Sequence, residues 1–363
     1  MNEIPADPLS DVPYIRWAKS DGGAGEHNLT MSAVSPVDWD DIDFDPRDLR
    51  LFDFTPYGPD EVLETVAGEW QLEPSSILLG ASASHAHFCL AASILEPGDR
   101  VVHEVPGYLP LLDALSLLRI EPLPFERRFE DRYRLDVAGL MKKVVEVEAK
   151  LVLLTDLHNP SGVHLGEDVR RALAQMCEKT GVMVICDEMY RPFLDPDPGP
   201  LSLLHPRIVS IGGLNKVHGL SQIRVGWGIA SAEVVERARR IIDSTTLHNS
   251  CLTDQVAVAA MGHLDSLRQR GRDIARGGWQ LMEAWYPNSP LEVVAPAAGL
   301  VSFPQVPQEF GDGDRLRSRL LDAGVNVTPG RFFGSPGHVR IGHGLPAVEL
   351  ARALVAIDGA LSP

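Results

Sequence analysis

Between Ile77 and about Val235 the chain alternates short, unbroken apolar runs with segments of helical spacing, and this alternation constrains its fold most. The run from Lys150 to Thr155 is apolar after its first residue, and Val182 to Cys186 is apolar throughout. Strands buried on both faces read this way. Arg100–Val105, Arg207–Ile211 and Val225–Ala230 add further strands. Helical spacing predicts helices over Ser84–Leu95, closed by Glu96-Pro97-Gly98-Asp99, and over Leu165–Thr180. Strands and helices in alternation imply an α/β fold, with a mainly parallel sheet between helices.

After Ser231 the pattern turns helical, over Ala232–Ile242 and Asp254–Trp285. From Leu291 onward short strands mix with helices at 314–323 and 347–357, which predicts a smaller α+β domain. The first 45 or so residues are rich in Pro, Asp and Gly and are expected to pack back on the body. A length of 363 residues suits two packed domains. The expected division is an N-terminal segment at 1–47 packing with the small domain, a large domain at 48–279 and a small domain at 280–363.

With 33 basic and 50 acidic residues the formal net charge is -17, which disfavours nucleic acid and anionic membranes as partners. An anionic ligand must therefore be held by locally placed cations and helix termini. Cys89, Cys177, Cys186 and Cys251 form no Cys-x-x-Cys pair and read as reduced core thiols. The start, Met1 to Pro8, has no basic stretch leading into an apolar one, and no apolar run reaches the about 18 residues of a membrane span. A cytoplasmic location is expected.

In a doubly wound sheet ligands gather at the carboxyl ends of strands, and four segments place polar residues there. Lys216 follows the apolar run and Gly212-Gly213, and Arg224 comes eight residues later. A lysine at the end of a buried strand is partly desolvated, so its neutral amine becomes available for a Schiff base. Arg224 is placed to hold a phosphate; a surface lysine and a structural arginine are the alternative. Together the pair suggests pyridoxal phosphate.

Asp187 and Tyr190 follow the Val182 strand. Asp187 there is either a helix cap or a buried partner for a protonated ring nitrogen. An ion pair about 4 Å apart at an effective dielectric of about 20 is worth ~4 kcal/mol, enough to keep a pyridinium protonated. Asn159-Pro160-Ser161-Gly162 is a turn composition in its own right. Gly80 to His87 opens a helix with small residues, whose free N–H groups suit a phosphate. His85 and His87 diverge on a helix, so no metal site is expected.

Asn159-Pro160-Ser161-Gly162, Asp187-x-x-Tyr190, Lys216 and Arg224, in this order, resemble the class I/II aminotransferases, fold type I pyridoxal 5'-phosphate enzymes. The similarity runs from about Asn28 to Ile357, and the four motifs together are specific although each alone is not. It implies Lys216 as the Schiff-base lysine and proton shuttle, and Asp187 on the pyridine nitrogen. It implies Asn159 and Tyr190 on the ring hydroxyl, Arg224 on the phosphate, and Ala83 and Ser84 donating to that phosphate largely through their backbone. Tyr108 resembles the aromatic stacked on the cofactor ring. Tyr57 resembles the tyrosine that reaches the neighbouring subunit's cofactor, which implies a homodimer with shared active sites. Arg340 resembles the arginine that grips the substrate α-carboxylate, a planar group suited to its bidentate fork.

The sequence departs from the family pattern at Ser82, where a phosphate-loop glycine is usual, and at Gly213, where a serine is usual. Ser82, Ser84 and Ser210 are candidate replacements for the missing hydroxyl. Ala33 and Val34 stand where a glycine often lets substrate pass, narrowing that edge. The leading expectation is an aminotransferase acting between an L-amino acid and a 2-oxo acid. The alternative is a β/γ-eliminating lyase or a cyclase of specialised metabolism, of the capreomycidine-synthase-like kind. A non-catalytic sensing module needs a DNA-binding domain, for which the first 45 residues are too short and acidic.

Overall fold

The computed structural model describes residues 12–362; Met1 to Asp11 of the expected N-terminal segment, and Pro363, lie outside them. Seven strands build the central sheet: β2 (Ile77–Gly80), β3 (Arg100–Val105), β4 (Glu121–Glu126), β5 (Leu151–Thr155), β6 (Met183–Asp187), β7 (Ile208–Gly213) and β8 (Gly226–Ile229). Their order is β2-β8-β7-β6-β5-β3-β4. β8 runs antiparallel to both β2 and β7, while β3 to β7 pair in parallel. Thr155, Asp187 and Ile211 share one register row, which puts Asp187 at the carboxyl edge.

Side chains alternate across each strand, so the apolar runs supply two cores. Leu151, Leu153 and Ile185 face a cluster with Leu90 and Ala91 of α3 (Ala83–Ala92) and Val235 and Ile242 of α7 (Ala232–Thr245). Val152, Leu154 and Val184 face Leu140 of α5 (Val137–Glu146) and Leu173 of α6 (Gly166–Thr180). Burial on both faces is why these strands lack polar alternation.

Two features differ from the periodicity. β4 was hidden because Pro122 and Pro124 interrupt it; prolines are tolerated there since β4 is an edge strand. The single helix expected over Asp254–Trp285 is two, α8 (Cys251–Met261) and α9 (Leu264–Trp285), parted at Gly262, a poor helix former. α9 continues through the expected 279/280 boundary.

The C-terminal part carries the antiparallel strands β11 (Thr328–Pro329), β12 (Val339–Gly342) and β9 (Val301–Ser302). N-terminal β1 (His27–Asn28) pairs in parallel with β10 (Val325–Asn326) there. The following strip lies along β12: Gly342 N–H donates to the Leu29 carbonyl at 2.7 Å. A Cβ on Gly342 would stand 2.0 Å from the Met31 carbonyl oxygen, so that strand position is restricted to glycine. Helix α1 (Pro13–Ser20) buries Tyr14 and Trp17 against Phe332 and Phe333. No helix among the described residues is long and apolar enough to cross a membrane.

Candidate active site

Lys216 sits in the loop between β7 and β8, partly buried. Its Nζ donates to Ser32 Oγ at 3.1 Å and lies 5.8 Å from the Tyr190 ring centre. Val34 N–H donates to the Lys216 carbonyl at 3.1 Å, pinning the 32–34 strip to the loop. Burial lowers the Lys216 pKa, and the Arg340 and Arg224 charges add to it, against Tyr14 and Asp187. The neutral amine is thereby made more accessible.

Asp187 ends β6, and its Oδ1 accepts from Met189 N–H at 3.0 Å. Burial raises its pKa to about 6, although that hydrogen bond and Lys216 favour the anion. A cation brought against it would restore the ordinary ionisation. Tyr190, buried just beyond, donates its hydroxyl to the Ser32 carbonyl at 3.0 Å. Asn159 is fixed by its N–H on Thr155 Oγ1 at 2.9 Å, and its Oδ1 accepts from Arg340 Nη1 at 3.2 Å. Because a guanidinium only donates, Oδ1 must face it, which leaves the Asn159 amide N–H groups for another acceptor.

The opposite end is the start of α3. Ser82 is its N-cap, its Oγ accepting from His85 N–H at 3.0 Å. Ala83 and Ser84 N–H groups have no acceptor among the described residues, as expected for the first turn. A Cβ on Gly226 would stand 2.1 Å from Ala83 N, so β8 presses directly under this turn. Arg224 is exposed, at φ 54, with one contact from Nη1 to the Ser221 carbonyl at 3.4 Å. Of the candidate compensating serines, Ser82 is spent on the cap and Ser210 accepts from Ser202 N–H at 2.9 Å. Ser84 is exposed, and its hydroxyl has no partner among the described residues.

Arg340 projects from β12 and is fully buried. Nη2 donates to Tyr14 hydroxyl at 2.9 Å and to the Thr30 carbonyl at 3.0 Å. Its Nε has no acceptor, and no carboxylate pairs with it among the described residues. Burial opposes its charge, but the Tyr14 and Tyr190 oxygens outweigh this and its pKa is raised. Tyr108 meets Tyr14 edge-on, with ring centres 5.6 Å apart. Burial pushes the Tyr108 phenol up, and Tyr14, Tyr190 and Asp187 push the same way while Arg340 opposes.

Lys216, Asp187, Asn159, Tyr190, Tyr108 and Arg340 are thus in electrostatic or hydrogen-bonding reach of one another. Tyr57 is elsewhere: exposed, its ring 4.7 Å from the Arg239 guanidinium, its hydroxyl 3.3 Å from Asp243 on α7. Ala33 is half-buried beside the Lys216 loop, and Val34 packs with Leu157 and Tyr190. Sequence reading missed Tyr14, Thr30 and Ser32. No motif flags them, because an unstructured strip and a short helix carry them to residues far along the chain. It also missed the buried Glu104–Arg127 pair at 2.7 Å, whose Glu104 Oε1 accepts from Thr155 N–H at 2.8 Å, behind Asn159.

The model of the aminotransferase class I and II family matches residues 52–357. The chain belongs to that family. A capreomycidine synthase of Streptomyces vinaceus is 29% identical over 98% of this chain and 93% of its own length. A histidinol-phosphate aminotransferase of Ralstonia nicotianae is 30% identical over 79% of this chain and 75% of its own. Among solved structures, a PLP-dependent aminotransferase from Streptococcus suis superposes with a TM-score of 0.90 at 22% identity, covering 97% of this chain and 98% of that one. The fold is therefore aspartate-aminotransferase-like fold type I.

Class I and II aminotransferases use pyridoxal 5'-phosphate, and this chain is an enzyme of that kind. Its residues fit the cofactor. An amine of lowered pKa, a half-buried carboxylate of raised pKa without an ion-pair partner in contact among the described residues, and two unpaired helix-start N–H groups near an arginine match an aldehyde, a pyridinium and a phosphate.

Proposed function

We propose that this aminotransferase-family enzyme moves an amino group between an L-amino acid and a 2-oxo acid, with Lys216 as its acting amine. The observation that carries the reading is that one strip of chain holds both Lys216, through Ser32, and Arg340, through Thr30, a buried guanidinium that lacks a carboxylate among the described residues. When bound, pyridoxal 5'-phosphate supplies an aldehyde that condenses with amines and a ring that accepts the electron pair left at the substrate Cα. Lys216 Nζ would hold the cofactor through its aldehyde and, as a free amine, would take the proton from the substrate Cα. Asp187 keeps the ring nitrogen protonated. Asn159 N–H would hold the ring hydroxyl, Tyr190 O–H would join it on leaving the Ser32 carbonyl, and Tyr108 would pack on the ring. The backbone at Ala83 and Ser84 holds the phosphate with Arg224.

Arg340 binds the substrate α-carboxylate and so aims Cα at Lys216, while Ala33 and Val34 bound the entry edge. Tyr57 serves the phosphate site of a second copy of the chain. Its exposure beside the still more exposed Leu51, Phe52 and Phe54 supports a homodimer. The division at 1–47, 48–279 and 280–363 belongs to the same reading, with α9 as the connection and the β1–β10 pair tying the first part to the third. A β/γ-eliminating lyase or cyclase is the second reading, favoured by the similarity to the Streptomyces vinaceus capreomycidine synthase across 98% of the chain.

The test is a single turnover of holoenzyme with a panel of L-amino acids and no added oxo acid. Release of one 2-oxo acid per site without ammonia is expected. Ammonia, or an unsaturated or cyclised product, moves the assignment to the second reading. Lys216→Ala should lose the absorbance band that depends on the lysine–cofactor bond and about 10,000-fold in turnover; an unchanged spectrum sinks the assignment of Lys216.

A further inference from the structure

We infer that Tyr14 is a substrate-binding residue, its hydroxyl donating to the α-carboxylate that Arg340 holds. The inference rests on the reading of Arg340 as the carboxylate clamp. Among the described residues three groups accept from Arg340: Asn159 Oδ1, the Thr30 carbonyl and the Tyr14 hydroxyl. They differ in what remains to offer an incoming anion. The Thr30 carbonyl oxygen has no proton to give. Asn159 has amide N–H groups that the proposed mechanism spends on the cofactor ring. A phenol that accepts from an arginine keeps its own proton, and no acceptor for it stands among the described residues.

Tyr14 is also held still. Its ring centre lies 5.6 Å from Tyr108, 5.7 Å from Phe332 and 5.9 Å from Phe333. The hydroxyl therefore waits in place at little cost in ordering. It stands within electrostatic reach of Lys216 as well, so a ligand joining amine and carboxylate through one carbon passes beside it. Helix α1 thereby contributes to selecting amino acids over simple amines.

Tyr14→Phe keeps the ring packing and removes the proton donor. Titrated calorimetrically into holoenzyme, pyruvate is expected to bind the variant about tenfold more weakly, the effect of one hydrogen bond to a charged group. The KM for the amino donor should rise by a similar factor with kcat and cofactor absorbance little changed. The rate of condensation with isopropylamine, which has no carboxylate, should be equal in the two proteins. Pyruvate affinities within twofold, or a parallel loss with isopropylamine, overturn the assignment of Tyr14 alone. Failure of wild-type holoenzyme to bind pyruvate overturns the Arg340 clamp, and the inference with it.

Discussion

The two ends of the site are built on opposite plans. At the end proposed for the carboxylate, Arg340 is fully buried and makes three hydrogen bonds, to Asn159, Tyr14 and Thr30, which come from three separate parts of the chain. At the phosphate end Arg224 and Ser84 are exposed, and Arg224 has one long contact, with Ser221. A buried charge survives only with most of its hydrogen bonds supplied, and Arg340 has all but Nε provided for within its surroundings, so the end proposed for the carboxylate is largely built by the chain itself. The end proposed for the phosphate instead presents free backbone N–H groups and an exposed cation, a cradle suited to an anion.

The largest effect expected from this contrast is at Arg340. Arg340→Ala removes the clamp and leaves three buried acceptors without their donor, a change worth about 2–5 kcal/mol. The enzyme's kcat/KM for its amino donor should fall by about 1,000-fold, while the absorbance of bound cofactor persists. A fall below tenfold would break the assignment of this end as the substrate end.

A second test addresses the phosphate end through its backbone. Gly226→Ala would bring a Cβ to 2.1 Å from Ala83 N and 2.5 Å from Ala83 Cα, so the first turn of α3 has to move. Losing one well-aimed hydrogen bond to an anion costs about 1.5–3 kcal/mol. The apoenzyme's affinity for pyridoxal 5'-phosphate, followed by fluorescence, should weaken about 10- to 100-fold. The pyruvate affinity of the fully loaded variant should change far less. Equal losses at both ends would show that the two do not act separately.

The same contrast explains what could be read in advance. Lys216, Asp187 and Asn159 lie on or just past strands whose apolar runs announce themselves, and Arg224 lies two residues before β8, so the sheet and the candidate residues at its edge could be read together. Strand burial fixes both the pattern and the place where it stops. Arg340 was legible by its motif. Its surroundings were not, because Tyr14 and Thr30 come from a short helix and an irregular strip that bear no periodic signal. The direction of β8 was likewise hidden, since a four-residue apolar strand reads the same either way. Pro122 and Pro124 concealed an edge strand for a related reason: edge pairing tolerates what the propensity argument forbids.

The smallest effect sharpens the comparison most. Gly213 stands where the family pattern has a serine, and it pairs in register with Gly226. A Cβ there would lie 3.0 Å from the Val225 carbonyl oxygen, 3.1 Å from Gly226 Cα and 3.3 Å from Met189 Cε. These contacts are tight without being prohibitive, so Gly213→Ser sets mild crowding, costing about 1 kcal/mol, against one new hydroxyl for the phosphate. The two effects nearly offset, and cofactor affinity should change by less than about threefold, with a melting temperature of the apoenzyme lower by about 2 °C. A gain of tenfold or more would mean that the phosphate end lacks a hydroxyl donor. A comparable loss would mean that the close approach of β8 to α3 dominates, and that the glycine is retained to keep the backbone cradle in place.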